Sequence, residues 1–185
     1  MIYKILSLLN HLLNDYLRLS FRLTENIAFL CPLKESGNVF PANRISISLV
    51  GIERETGGGI HFNNQNIRGN LSRKTAPSWQ LNLYVLFSAV FLEKQYEDSL
   101  QVLSGVLSFI QKNNTFSVPD SGTPFALEPV NLSFHEQSNL WGICGGNYYP
   151  SLLCKLRVLT IDEQEILDLS TIISKPETNS TTHTP

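Results

Sequence analysis

Few side chains in this sequence could do chemistry, and they lie far apart. The histidines are His11, His61, His135 and His183, spread over the whole length. The nearest approach to a cluster is Glu53 and Glu55, on one face of a strand end, with His61 following. A metal centre needs three or four ligands at defined spacing, and a histidine near carboxylates without a further ligand is a weak signal for one. Two solvated carboxylates account for Glu53 and Glu55. Gly57-Gly58-Gly59 would need a following Lys-Ser/Thr and a helix to cradle phosphate. The residues that do follow are polar and Asn-rich, which suits a flexible hairpin linker. Cys31, Cys144 and Cys154 are odd in number, form no CxxC pair and sit among apolar residues. That pattern suits buried thiols in a reducing compartment. No serine occupies a nucleophile elbow and no cysteine has a histidine at hand. The expectation is a protein that is not an enzyme and uses no cofactor or metal.

The elements that would position these residues are clearer. Trp79 to Gln111 forms the centre of the pattern. Leu81, Leu83, Val85, Phe87, Ala89 and Phe91 recur at period two, and Tyr84, Leu86 and Val90 between them are apolar as well. A strand apolar on both sides is central and covered. From Glu93 the period becomes helical, with Tyr96, Leu100, Leu103, Leu107 and Ile110 as the expected inner stripe.

Upstream, Ile2, Ile5, Leu6, Leu9, Leu12, Leu13, Tyr16 and Leu17 form one helical stripe, with Lys4, Ser7, Asn14, Asp15 and Arg18 elsewhere. The run is interrupted by Asn10, His11, Asn14 and Asp15 and is not followed by a small-residue cleavage site, so it reads as a packing helix. It is too short and too polar to span a bilayer. Asn26 to Cys31 reads as a short strand stopped by Pro32. Arg44 to Glu55 reads as a half-exposed strand, Ile45, Ile47 and Leu49 inward, with a bulge at Val50-Gly51-Ile52. Gly57 to Pro77 is expected to be a long mobile loop.

Downstream, Phe125 to Phe134 is expected to hold a short strand, placed at Val130 to Phe134, followed by a short helix at Glu136 to Ile143 and a last strand at Ser151 to Asp162. In that strand Leu152, Cys154, Leu156 and Val158 share one face, and Lys155 and Arg157 the other; such alternation suits an edge or inter-subunit face. Within Asp168 to Ser174, Leu169, Thr171 and Ile173 alternate with Ser170, Ile172 and Ser174, suiting an extended arm. The Ser/Thr-rich end is expected to be disordered unless bound. The fold class is therefore mixed α/β (α+β), with residues 1–165 as the domain and 166–185 as arm and tail.

Composition fits an ordinary globular domain. The 185 residues are 42% hydrophobic and 16% charged, with net charge −2. A chain this long buries about 70% of its unfolded surface. No basic excess supports nucleic-acid binding. The low charge hints that other protein covers some of the surface.

Three segments resemble one family. They are Ile2 to Leu17, Leu81 to Phe91 with the Tyr96 to Gln111 helix, and Leu140 to Glu163. The last, with Leu140-Trp141, Tyr149-Pro150-Ser151 and Thr160-Ile161-Asp162-Glu163, is the most specific. The family is the tail-terminator, or cap, protein of extracellular contractile injection systems of the antifeeding-prophage type. The resemblance implies a phage tail-terminator-like fold, a mixed sheet flanked by helices. It also implies a six-fold ring at the tube and sheath end distal to the baseplate, which stops polymerisation and joins the two polymers. The implied partners are further copies of the chain, sheath protein and inner tube protein, with a second related cap protein as a further candidate. The implied location is the bacterial cytoplasm during assembly and then the extracellular particle. No catalytic residue carries over.

On this reading Lys155, Arg157, Leu169, Thr171 and Ile173 are the expected assembly interface. The competing class is an adaptor or chaperone domain that binds a client without forming a ring; solution mass and neighbouring sheath and tube genes separate the two.

Overall fold

The computed structural model describes residues 2–32, 41–55, 64–67, 71–75, 79–113, 115–118, 124–143, 147–161 and 166–171. The chain divides into two compact units, Met1–Glu55 with Gln80–Thr160, and Thr56–Trp79 with Ile161–Pro185.

The first unit is built on a six-stranded sheet. In chain order its strands are β1 (Ala28–Leu30), β2 (Arg44–Arg54), β5 (Trp79–Val90), β6 (Thr115–Ser117), β7 (Pro124–Pro129) and β8 (Ser151–Ile161). Across the sheet they run β1-β2-β5-β8-β7-β6. β1 is parallel to β2, while the pairs β2–β5, β7–β8 and β6–β7 are antiparallel. As its two apolar faces require, β5 lies inside the sheet, and Leu83, Val85, Phe87 and Ala89 are buried on one side of it. The bulge expected near Gly51 is present, as a register shift between Leu49 and Gly51.

The helices are α1 (Ile2–Phe21), α2 (Tyr96–Lys112, after a 3-10 turn at Glu93–Gln95) and α3 (Phe134–Ile143). The α1 stripe packs as its spacing predicts: Ile5, Leu6, Leu9, Leu13 and Leu17 are buried. Each such side chain contributes roughly 1.5–3 kcal/mol. An aromatic ladder ties α1, α2, β6 and β7 together through ring centroids at 5.5 Å (Tyr16–Phe109), 5.7 Å (Phe109–Phe116) and 5.0 Å (Phe116–Phe125).

Four local readings change. The inner face of α2 is Ser99, Val102, Gly105, Val106, Phe109 and Ile110. Of the expected stripe only Ile110 is buried, while Tyr96, Leu100 and Leu107 are exposed and Leu103 is half-buried. The helix is apolar on two faces, and the face with the smallest residues wins. A Cβ at Gly105 would stand 2.6 Å from Phe21 Cε2 and 3.0 Å from Leu17 Cδ2, so a larger side chain there would have to displace the Phe21 and Leu17 side chains of α1. Second, β2 is not half-exposed at its start. Arg44, Ser46 and Ser48 are buried with Ile45 and Ile47, and Ser48 Oγ donates to the Cys31 carbonyl at 2.8 Å. Third, the strand expected at Val130 to Phe134 lies earlier, as β7. Ser133 and Glu136 form a capping box that starts α3 at Phe134, with Ser133 N donating to Glu136 Oε2 at 2.8 Å and Glu136 N to Ser133 Oγ at 3.3 Å. Fourth, Asn14 is buried, although it lies off the apolar stripe.

The second unit carries a three-stranded sheet in the order β3-β4-β9, from β3 (Asn64–Ile67), β4 (Leu71–Thr75) and β9 (Ile166–Thr171). Both pairings are antiparallel. The stretch read as a long loop thus contains a hairpin, and the segment read as an arm contains its third strand. Gly57, Gly58, Gly59 and His61 lie outside the described residues.

Candidate assembly surface

Lys155 and Arg157 sit on β8, which runs between β5 and β7. This strand is interior and not an edge. Alternation of charge with apolar residues marks one solvated face of an antiparallel strand, which an interior strand can also have. Cys154 and Leu156 are fully buried on the other face.

The charged face is a paired belt across four strands. Lys155 Nζ lies 4.0 Å from Glu53 Oε2 and 5.9 Å above the Tyr84 ring. The Tyr84 hydroxyl donates to the same Glu53 oxygen at 2.7 Å, and Asn82 Nδ2 donates to Glu55 Oε2 at 3.0 Å. Arg157 and Glu128 pair at 3.1 Å. The hydrogen bond to Glu53, then burial and the nearby carboxylates, raise the Tyr84 pKa. The phenol therefore stays protonated as a donor. Exposed pairs of this kind contribute about 0–1 kcal/mol each. The belt is thus a surface of matched charges and hydrogen-bonding groups.

The other expected interface residues lie in the second unit. Leu169 and Thr171 are on β9, in register with Arg73 and Leu71 of β4. Ile173 lies outside the described residues. The structure therefore places Lys155 and Arg157 on one face of one strand, and Leu169 and Thr171 on another strand of a different unit.

The chemistry-bearing residues stay scattered. His11 lies 3.0 Å from Asp15 on the exposed side of α1, and His135 lies 3.1 Å from Asn139 on α3. His183 and Cys144 lie outside the described residues. Cys31 and Cys154 are buried thiols outside any disulfide, and burial pushes Cys154 up to about 12. Among the described residues, no three His, Cys, Asp or Glu groups come together as a metal site, and no helix is long and apolar enough to cross a membrane.

Two apolar surfaces were missed by sequence reasoning. One is the outer face of α2. The other surrounds α3, where the buried Trp141 ring packs edge-on against Tyr148 and Tyr149, each at 5.8 Å, with Phe134 and Ile143 exposed nearby in sequence. The signal for the first was present: a helix with two apolar stripes can bury only one of them in its own core.

A mixed sheet with helices packed on it defines an α+β domain. The chain belongs to the Pvc16 N-terminal domain family, whose pattern matches residues 4–175. It is similar in fold to a solved structure described as the PVC sheath/tube terminator of an extracellular contractile injection system in the extended state. That similarity has a TM-score of 0.72 at 17% identity, over 100% of this chain and 64% of the other. It is also similar to the anti-feeding prophage cap, described as a tube terminating cap, with a TM-score of 0.53 at 19% identity over 95% of this chain and 60% of that one. The chain thus spans about two thirds or less of the length of these structures. No curated protein matches it. The expected family and the mixed-sheet fold are both found.

Proposed function

We propose that this chain caps the end of the inner tube and sheath of an extracellular contractile injection particle, as a structural and not an enzymatic component. The observation that carries this reading is the similarity in fold, over 100% of this chain and 64% of the other, to a sheath/tube terminator. Family membership over residues 4–175 supports it. On this reading six copies form a ring distal to the baseplate, end polymerisation and hold tube and sheath together. The chain is assembled in the bacterial cytoplasm and leaves with the particle, touching sheath protein, tube protein and, in some particles, a second related cap protein.

Within the ring, residues 1–165 form the body and 166–185 the arm. The belt with Lys155 and Arg157 faces a partner, and the arm residues Leu169, Thr171 and Ile173 add main-chain hydrogen bonds along a sheet edge. Electron microscopy of particles made without this protein tests the reading. Sheaths of uncontrolled length, or tubes without sheath, are expected; particles of normal, uniform length would overturn it.

A further inference from the structure

We infer that the cleft between residues 92–96 and residues 147–150 receives an arginine side chain from a neighbouring protein. The site is read from this chain alone; that its occupant sits on a neighbouring protein rests on the assembly role proposed above.

The cleft has a volume of about 470 Å³ and opens beside the end of β5. Phe91, Tyr96, Tyr148 and Tyr149 line it, together with Glu93 and Asn147. Among the described residues no lysine, arginine or histidine does. Glu93 is exposed, and its carboxylate has no hydrogen bond or ion pair to another described residue. By contrast Glu53, Glu55 and Glu128 are each engaged by a neighbour. Glu97 and Asp98 follow Glu93 in the first turn of α2, against the single cation Lys94.

Both walls are held in place. Asn43 fixes the turn that carries Glu93: its Oδ1 accepts from Leu92 N at 3.1 Å, and its Nδ2 donates to Gln95 Oε1 at 2.6 Å. On the other side, Ala89 N of β5 donates to the Pro150 carbonyl at 2.9 Å. The buried Trp141 ring packs against Tyr148 and Tyr149. A site ordered before binding gives up less entropy when it is filled.

Charge selects the occupant. Aromatic residues beside an unpaired carboxylate favour a cation, through the negative ring faces and a charge-assisted hydrogen bond. Arginine uses both at once, because its flat guanidinium stacks on tyrosine and presents a fork of donors to a carboxylate. The cleft does not suit a second copy of itself, since carboxylate would meet carboxylate. Much of this chain's own positive charge is already engaged: Arg18 with Asp15, Lys155 with Glu53, Arg157 with Glu128, and Lys112 with the Tyr16 hydroxyl. That points to a different protein as the source.

Titration of the full chain with argininamide tests the cleft, read by two-dimensional NMR of labelled tyrosines. Saturable shifts of Tyr96, Tyr148 and Tyr149 are expected, while Tyr3 on α1 stays unmoved. Citrullinamide, the neutral isostere, is expected to bind about fivefold more weakly or worse, and Glu93→Gln to weaken argininamide by a similar factor. Glu93 is exposed, so that variant is expected to melt within a few degrees of wild type. Equal response to the two amides, or undiminished binding by folded Glu93→Gln, overturns the inference. In assembled particles, a photoreactive benzophenone amino acid in place of Leu92, which lines the cleft and is 47% exposed, identifies the occupant. An adduct on an arginine-bearing peptide of another particle protein is expected. An adduct on this chain's own peptides, or none, overturns the assignment. A chain that binds argininamide but is absent from particle ends would overturn the capping role and leave the cleft standing.

Discussion

Asn14 on α1 holds Ala28 on β1 by both of its backbone groups. Asn14 Oδ1 accepts from Ala28 N at 2.9 Å, and its Nδ2 donates to the Ala28 carbonyl at 2.8 Å; Oδ1 also accepts from Ile27 N at 3.0 Å. The opposite edge of β1 is bonded to β2, with Ile45 N donating to the Ile27 carbonyl at 2.8 Å and Cys31 N to the Ile47 carbonyl at 3.0 Å. The Asn14 amide thus satisfies the outward edge of a terminal strand, which would otherwise present unpaired groups to other chains.

Replacing this amide leaves buried backbone groups without partners. Asn14→Leu is expected to cost about 2–4 kcal/mol, which at this size lowers the melting temperature by roughly 5–15 °C. Thermal unfolding followed by circular dichroism reads the change. A melting temperature equal to wild type would mean that water or another donor replaces the amide at no cost.

The crossing of α1 and α2 depends on Gly105. Glycine in a helix is ordinarily worse than alanine by about 1 kcal/mol, so an exposed Gly105 would be improved by substitution. Here the added atoms meet Phe21 and Leu17, and Gly105→Val is expected to destabilise by about 1–3 kcal/mol through overpacking. Urea denaturation measures it. A stabilised variant would show that the helices separate freely.

Much of the architecture was legible because packing leaves a periodic trace. The stripe of α1, the two-faced strand β5 and the bulge by Gly51 all follow from the spacing of apolar residues. The inner face of α2 was not legible, since Leu100, Leu103 and Leu107 make a more hydrophobic stripe than Ser99, Val102 and Gly105. Choosing between them requires knowing that α1 crosses closely. Asn14 was hidden for a related reason: a buried amide looks like a surface residue until its two backbone partners are in place. On β8 the pattern gave the faces of Lys155 and Arg157 correctly, but periodicity says nothing about whether a strand is inside or at the edge of a sheet. The Ser133–Glu136 capping box was readable as a motif, and it would have moved the helix start to its observed place.

That box makes the first turn of α3 sensitive to acid. Hydrogen bonds from the Ser133 hydroxyl and then its backbone N–H hold the Glu136 carboxyl below its ordinary value of 4.5. A depressed value in the folded state means that the contribution is present above pH 4.5, and is lost as pH falls through the folded value. Protection of the amides in the first turn of α3, taken relative to their intrinsic exchange at each pH, is expected to fall below about pH 4.5 in the wild type. In Glu136→Ala that protection is expected to be low at neutral pH already and to show no such step.

Cys154 responds in the alkaline range. Its thiol is held neutral up to about 12 by burial, against an ordinary value of 9.0. The folded state keeps a proton that the unfolded state releases, so stability is unaffected below pH 9 and falls as pH rises towards 12. At neutral pH Cys154 and Cys31 are expected to resist a thiol-specific chromogenic reagent in the native protein and to react on unfolding. Fast native labelling at Cys154, located by peptide mapping, would show that the site opens without global unfolding. Cys154→Ala should retain the fold and flatten the stability profile between pH 9 and 12.

The last strand gives the sharpest test of how the arm is used. Leu169 is in register with Arg73, and Thr171 with Leu71, so β9 completes the β3–β4 hairpin within its own chain. A two-stranded hairpin is marginal in water by itself, and a third strand is the usual minimum for independent stability. Truncation after Gln164 removes β9 and is expected to cost β4 its amide-exchange protection, while β5 and β8 retain theirs. If the arm also joins neighbouring subunits, the same truncation lowers occupancy of particle ends, and supplying the peptide from Glu165 to Ser174 in trans restores part of it. A truncated chain that keeps β4 protected and occupies particle ends as well as the full chain would show that β9 serves neither purpose.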